Sequence, residues 1–593
     1  MSAFCTIIHE TDFCVVGGGM AGLFAALSAA RHGKKVVLMQ DRPMLGGNAS
    51  SEIRMWICGA HGENNRETGL LEEANLENHY RNPGKNYHIW DGVLYGMARQ
   101  EKNLTLLLNC SCLDAEMDGA KIKSVTGWQT TTQRYHQVRA KIFADCSGDS
   151  ILAPLTGADF RVGREAKSEF VETIPPDTAD QKTMGMSCLI QARETEREST
   201  FIPPEWAEKI TAEKLPHRMP DMENPQENYW YLELGGDRDS IGDTEELRDE
   251  LVALAYGMWD YIKNDPAQKE KNKHWELDFV GMLPGKRESR RYMGPHILKE
   301  QDVRAGGKFD DIVAYGGWTM DDHHPAGFRT SEPPNIFHPA PAPYGIPYRC
   351  LYSRNIENLF FAGRNISVSH AAFSSIRVMA TCALCGQAAG TAAALALDTG
   401  KNPGEIDVGV LQEMLMEDDC YLPGLIRPIG EITRQARLIA TGENGEVIRD
   451  GVDRPRDGVS HCWHGKRGDQ IRYEFARPVQ GKQIRLVFDS DLMRKTMPEM
   501  ERKVNREMNA NRFLKMEDTY PPKTLIRRYQ IWGEFADGRK ERLVTEENNY
   551  QRLRRYEIGA GRLVAIVFEP LETWGSEDFR LFALDVQGEY EKE

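Results

Sequence analysis

The sequence predicts an α/β protein that ends in an all-β module. Three observations carry this reading. A glycine-rich turn sits between two short apolar runs near residue 20, a buried strand pattern and an Ala-rich helix return after residue 358, and short strand patterns recur beyond residue 428. The chain has 593 residues, enough for roughly four units of about 150 residues each. Hydrophobic residues make up 40% and charged residues 27%, which excludes a disordered or collagen-like chain. The net charge is 74 − 89 = −15, which disfavours nucleic acid as a general partner.

The elements follow in order. Phe13–Val16 reads as a strand, Met20–His32 as a helix ending at Gly33, and Lys35–Met39 as a second strand. Strand, tight turn, helix and strand within about 30 residues is a parallel βαβ unit. Leu104–Leu108 and Lys141–Ala144 read as further strands, and Thr126–Arg139 as a hairpin. From Val162 to Pro341 proline, charge and scattered tryptophans increase, with one amphipathic helix at Thr244–Lys263; this reads as an inserted α+β domain. Asn358–Ala362 returns to a buried strand, Phe373–Leu397 reads as one long helix, and Val408–Met416 as a short one. Beyond Pro428, strands are expected at Gln470–Phe475, Gln483–Phe488, Arg528–Phe535, Arg552–Ile558, Leu563–Phe568 and Phe579–Val586. Their regular spacing predicts an antiparallel sandwich, interrupted at Met493–Met516 by a charged helical insertion with a solvated face. The boundaries fall at 1–161 (dinucleotide-binding domain, first part), 162–341 (inserted substrate domain), 342–400 (dinucleotide-binding domain, last part), 401–429 (helical linker) and 430–593 (sandwich).

The longest apolar run, Ala388–Leu397, is half of what a bilayer span requires. The first ten residues lack the basic and apolar regions of a secretory signal. Twelve cysteines in this length are no disulfide framework, and Cys382-x-x-Cys385 lies in a helical run without a second pair. The expectation is a cytoplasmic protein with reduced thiols, no membrane partner and no metal. The sequence does not give the oligomeric state.

Gly17-Gly18-Gly19-Met20-Ala21-Gly22 fits G-x-G-x-x-G. Gly17 permits the tight turn, Gly19 lets a pyrophosphate approach the backbone, and Gly22 allows close helix–strand packing. The helix starting near Met20 and Ala21 then aims its N–H groups at the phosphates. The end of the second strand normally supplies an acid for the ribose. Gln40 holds that place here, with Asp41 as the alternative.

Four blocks in the right order resemble FAD-dependent oxidoreductases of the two-domain, fumarate-reductase-like type. They are Gln40-Asp41-Arg42-Pro43-x-x-Gly46-Gly47-Asn48, then Ala144–Asp149, then Arg287-Glu288-Ser289-Arg290-Arg291. The fourth is Asn358–Arg364 with Ser375–Thr381 and Gly386–Gly390. The resemblance spans about residues 10 to 400 and implies a Rossmann-like FAD-binding domain with FAD as cofactor. It implies that Arg42, Gly47, Asn48, Asp149, Gly363 and Arg364 line the cofactor, and that a helix starting near Ser374–Ser375 points its positive end at the flavin. The sequence departs from the family pattern at Gln40, where Glu is usual, and at Cys146-Ser147. More faintly, the region from Gly430 onward resembles galactose-binding-like or discoidin-like sandwiches, which implies either a glycan ligand or a covering role.

Candidate chemistry groups follow. Glu52 and Arg54 are two apart and would share a face on a strand; Arg54 is read as a substrate anchor or as half of a structural ion pair. Asp321-Asp322-His323-His324 sets acids beside imidazoles, the arrangement a general base requires, with a metal or a plain polar loop as the alternatives. His324 and His370 are the candidate bases, and Arg54 and Arg290 the candidate orienting cations. His61, His88, Trp56 and Trp90 read either as an entry pocket or as packing. Cys58 reads as a buried thiol. The expected activity is hydride transfer between flavin N5 and a small polar substrate, such as a sugar, sugar acid or related hydroxy compound. The alternatives are a reductase of an activated double bond and a glycan-binding protein with a structural flavin.

Overall fold

The structure, a computed structural model, describes residues 4–494 and 507–591. The chain forms two compact units: Met1–His61, Gly84–Leu411 and Met497–Asp518 in the first, and Gly62–Pro83, Gln412–Thr496 and Thr519–Glu593 in the second.

The first unit is built on five parallel strands. They are β1 (Phe13–Val16), β2 (Val36–Met39), β3 (Leu104–Leu107), β4 (Ile142–Asp145) and β5 (Leu359–Phe361). Their order across the sheet is β5-β4-β1-β2-β3. β1, β2, β4 and β5 are buried throughout, as expected of a parallel sheet covered on both faces. Helix α1 (Met20–Arg31) follows β1 and packs on the later helix α3 (Met379–Thr399). Small residues make this possible: a side chain at Gly386 or Gly390 would overlap the Ala21 or Ala25 carbonyl. Ser28 and Thr391 share a 2.8 Å hydrogen bond across the contact.

The expected single helix at Phe373–Leu397 is two. Helix α2 (His370–Ile376) is capped by the Ser369 side chain, and α3 starts afresh after Val378, whose backbone is extended. The break matters because it sets a second helix N-terminus beside Arg377. The 21 residues of α3 have the length and apolarity to cross a bilayer, with a mean hydropathy of 1.4 over its most apolar 18 residues, although no run that long was expected; 94% of that stretch is buried inside the protein. A four-stranded sheet comprises Thr6–Glu10, Arg134–Arg139, Lys121–Gln129 and Cys110–Asp118, and it contains the expected hairpin. Helix Thr244–Asn264 buries Leu247, Leu251, Leu254, Met258 and Ile262 at helical spacing.

In the second unit all strand pairs are antiparallel. Ile471–Phe488 and Leu553–Thr573 each run through what the sequence reads as two strands, bending at irregularities between Glu474 and Gln483. A bulged strand that changes partners turns one ladder into two packed layers. Trp463, Tyr473, Phe488, Tyr529 and Phe568 fill the core. Strands Arg437–Ala440, Trp463–Gly465 and Lys540–Glu546 escape the sequence reading.

The charged insertion is corrected in its described parts. Residues 495–506 lie outside the described residues. Arg494 is buried in the second unit against Glu72 at 2.6 Å, and residues 507–518 are irregular, not helical. They belong to the first unit, with Ala510 and Asn511 fully buried.

Candidate active site

β1 ends in the glycine turn. Gly17 has φ +99°, and a side chain there would overlap the main chain at Cys146. A side chain at Gly22 would overlap the Gly17 carbonyl. Gly19 is different: a Cβ there would meet only Gly47, at 3.9 Å. Glycines thus enforce the turn on one side and leave a bare backbone cradle on the other, which fits a diphosphate. Met20 and Ala21 open α1 behind it. Gln40 is buried, accepts from the Gly18 N–H at 2.6 Å and donates to the Met44 carbonyl at 3.1 Å. It therefore braces the glycine turn through both amide atoms. Asp41 is exposed and lies 3.7 Å from Arg42, which also reaches Glu52 at 3.6 Å. Glu52 therefore pairs with Arg42 and not with Arg54.

β4 ends at Asp145, whose carboxylate takes the Ser147 and Leu152 N–H groups and the Tyr292 hydroxyl. That bracing presents Asp149, which accepts from Lys286 at 2.8 Å, Ser289 at 2.8 Å and Arg364 at 3.1 Å. Burial opposes the Asp149 charge, but Arg364 and Lys286 hold its pKa down to about 2. Gly363 has φ +111° and Asn48 donates to the Lys286 carbonyl. Among the described residues Nη1 of Arg364 is buried without a hydrogen-bond acceptor, and Nη1 of Arg42 has the 3.6 Å ion pair with Glu52 but no hydrogen bond. A buried cationic donor left over beside a bare glycine backbone fits an anionic dinucleotide.

A second group of buried charges lies on the neighbouring elements. His370, at the start of α2, sits between Glu288 at 3.0 Å and Asp322 at 3.2 Å. Burial alone would lower its pKa. The two carboxylates win and raise it to about 10. His370 is thus held as an imidazolium, which corrects its reading as a base at neutral pH. Glu288 also meets Arg291 at 3.4 Å, and Arg291 reaches Glu165 at 3.2 Å.

The strand Met320–His323 alternates: Asp322 turns to His370, whereas Asp321 and His323 turn the other way. His323 is buried, with Nδ1 at 2.6 Å from Glu233 and Nε2 at 3.3 Å from Asp321. Asp321 pairs with Arg377 at 3.1 Å, and Glu233 with Arg287 at 3.5 Å. Burial opposes the Asp321 charge, but His323 and Arg377 hold its pKa well below the usual carboxylate range. Trp230 stands edge-on to His323 at 5.3 Å and joins an aromatic cluster of Trp56, Cys58, Trp318, Val378 and Ala510. His61 lies over Trp318 at 4.4 Å. Trp90 packs inside its helix with Nε1 on the Ala49 carbonyl, and His88 is exposed.

Three other expectations change. His324 lies on a part-exposed turn, with Nδ1 accepting from Ala326 N–H and Nε2 near Glu332, so its neighbour His323 takes the buried place. Ser375 is buried, bonded to the Tyr344 hydroxyl and the Trp318 carbonyl at 2.6 Å each; it belongs to the last turn of α2, and the helix that starts here is α3, at Met379. Arg290 donates to the Asp149 carbonyl and lies 5.6 Å over Phe160, away from the histidines, while Arg287 and Arg291 of the same block enter the charge group. Arg54, with φ +62°, is held by Gln191 at 2.9 Å and stacks 4.1 Å over Phe279. Sequence reasoning missed His323, Glu233 and Glu288 as a set. The strand alternation around Asp321–His323 was the available signal. Among the described residues no cluster of three or more His, Cys, Asp or Glu side chains could hold a metal.

A parallel sheet with a glycine diphosphate turn, a returning acid loop and a closing helix pair defines a dinucleotide-binding fold. The model of the FAD dependent oxidoreductase family matches residues 12–415, and the chain belongs to that family. FAD is its cofactor. Among solved structures, the chain is similar to a geranylgeranyl bacteriochlorophyll reductase-like protein from Thermoplasma acidophilum, at 12% identity and TM-score 0.31, covering 70% of this chain and 85% of that one. It is also similar to the OxyS anhydrotetracycline hydroxylase of Streptomyces rimosus, at 14% identity and TM-score 0.21, covering 32% of this chain and 38% of that one. A family 32 carbohydrate-binding module of Streptococcus pneumoniae EndoD matches at 10% identity and TM-score 0.20, covering 27% of this chain and 99% of that module. No curated protein matches the chain.

Proposed function

We propose that this FAD-dependent oxidoreductase oxidises a hydroxyl group of a small polar substrate, of sugar or sugar-acid type. Bound FAD supplies the hydride acceptor, N5. Gly17, Gly19, Met20, Ala21 and Gly22 bind the diphosphate. Arg42, Gly47, Asn48, Asp149, Gly363 and Arg364 line the rest, with Gln40 bracing the turn. Once a substrate hydroxyl has displaced Asp321 from Nε2, His323, its Nδ1–H held by Glu233, takes the hydroxyl proton there. Its 2.6 Å bond to Glu233 fixes the ring and stabilises the imidazolium that forms, as a buried carboxylate does behind any catalytic histidine. The 3.3 Å contact on Nε2 is the weaker of its two, and a substrate hydroxyl replaces it. Arg377 orients the substrate oxygen, and His370 keeps a fixed positive charge nearby.

The observation that carries this reading is the row Glu233–His323–Asp321–Arg377 beside the start of α3, flanked by Trp230, Trp318 and Trp56. Aromatic faces take the apolar face of a sugar ring, and convergent charged groups take its hydroxyls. The test is anaerobic bleaching of the FAD-loaded protein by a panel of sugars, sugar acids and other organic acids. Bleaching by at least one sugar or sugar acid is expected; bleaching by none of them overturns the substrate class.

A further inference from the structure

Residues 507–518 lie, in chain order, between the sandwich strands Ile471–Phe488 and Ile526–Phe535, yet they pack within the first unit. They add a short parallel bridge to the open edge of strand Ile190–Glu194, whose other edge pairs with Trp275–Val280. The Arg512 N–H donates to the Ala192 carbonyl at 2.9 Å, and the Glu194 N–H to the Arg512 carbonyl at 2.7 Å. The Asn511 side chain accepts from the Ala192 N–H at 3.1 Å, and the Ala510 N–H donates to the Pro225 carbonyl at 3.0 Å. Phe513 closes the far end edge-on to Trp275 at 5.0 Å. Main-chain bonds on both sides fix the register of this segment, as strand addition does for a bound peptide.

The register places Ala510 in the aromatic cluster with Trp56, Trp318 and Val378, one residue from Arg377. Gln191 donates to the Asn509 carbonyl at 3.4 Å and accepts from Arg54 at 2.9 Å. Among the described residues the buried Asn509 side-chain oxygen has no hydrogen-bond partner, while its amide nitrogen faces the Met516 sulfur at 3.5 Å. A buried amide oxygen without a donor is costly unless a ligand provides one, and its chemistry accepts only donors, such as a hydroxyl.

We propose that residues 509–512 are a wall of the substrate chamber and that Asn509 is a substrate-contacting residue that selects hydroxyl-bearing ligands. The selection rests on the sugar reading above; the wall does not. The experiment uses the full FAD-loaded chain, with glucose, galactose and glucuronate as probes. Asn509→Leu is expected to raise KM for the bleaching sugar about tenfold, the worth of one hydrogen bond to a buried acceptor, with kcat and the flavin spectrum kept. Asn509→Asp, which keeps an acceptor oxygen, is expected to restore most of the loss. A KM for Asn509→Leu equal to that of the wild type overturns the contact. Independently of substrate, replacing residues 509–512 by glycines should increase iodide quenching of flavin fluorescence; if that variant loses FAD, Ala510→Gly provides the same reading. Unchanged quenching overturns the wall. If no sugar bleaches the wild type, the sugar reading and the selection by Asn509 both fall, and the quenching result alone decides the wall.

Discussion

The two units each bury a cluster of charges, and the clusters differ in kind. In the second unit Arg427 and Arg485 converge on Asp453, Asp585 and Glu417, and Arg552 meets Asp419 at 2.8 Å. These guanidiniums also spend donors on main-chain carbonyls: Arg485 on Met416 and Glu417, Arg552 on Phe488 and Asp453. No imidazole takes part in these contacts. Burial opposes the Asp453 charge, yet Arg427 and Arg485 hold its pKa far below the usual range, and Arg427 stays charged at any accessible pH. This cluster joins loops to strands and does not exchange protons near neutrality. In the first unit two histidines stand between carboxylates, and the cluster shares elements with the glycine cradle through the Arg287–Arg291 segment. A buried charge group becomes a candidate for chemistry when it contains imidazoles and adjoins a cofactor site.

The sharpest way to break this contrast is at the cradle. Gly22→Ala forces a methyl into the Gly17 carbonyl, so the purified variant is expected to lose its flavin absorption band while keeping the second unit folded. A fully yellow variant would remove the steric argument.

Next in size, Arg485→Met leaves Asp585 and Asp453 short of a partner. It should destabilise the second unit by about 3–5 kcal/mol in chemical denaturation, with the rate of flavin reduction unchanged. A large loss of rate with no loss of stability would make this cluster functional after all.

A smaller effect separates the clusters by pH. The folded pKa of His370 lies above its unfolded value, so its contribution is full below about pH 6.5 and is lost as pH rises towards about 10. First-unit stability should fall across that window with a slope of at most about 1.4 kcal/mol per pH unit, and His370→Gln should remove the slope. A flat profile in the wild type would contradict the assigned proton. The smallest effect is expected at His324→Ala, within about 0.5 kcal/mol and without a change in turnover, because its ring serves a surface turn.

Much of the first unit was legible in the sequence because its signals are local. The turn at Gly17–Gly22 reports steric needs that only glycine meets, and Phe13–Val16 and Val36–Met39 stand out as apolar runs. The helix break at Arg377–Val378 was not legible, since no Gly or Pro marks it between Phe373 and Cys385 and the apolar run continues through it. The choice between His323 and His324 turned on strand parity, which a proline-rich stretch conceals. The partners of His370 come from Glu288 and Asp322, at 82 and 48 residues' distance, and no spacing rule reaches that far. In the sandwich the core strands showed through alternation. The destination of residues 507–518 did not, because the charge of Met493–Met516 reads as a solvated helical insertion until the edge of Ile190–Glu194 is seen to receive Arg512.

The most direct test of the central claim is the rate of anaerobic flavin reduction by the bleaching sugar in His323→Gln against the wild type. The account predicts a fall of about 10²–10⁴-fold with the flavin spectrum and the FAD content unchanged, the range expected on losing a general base. A variant that reduces its flavin as fast as the wild type would contradict it.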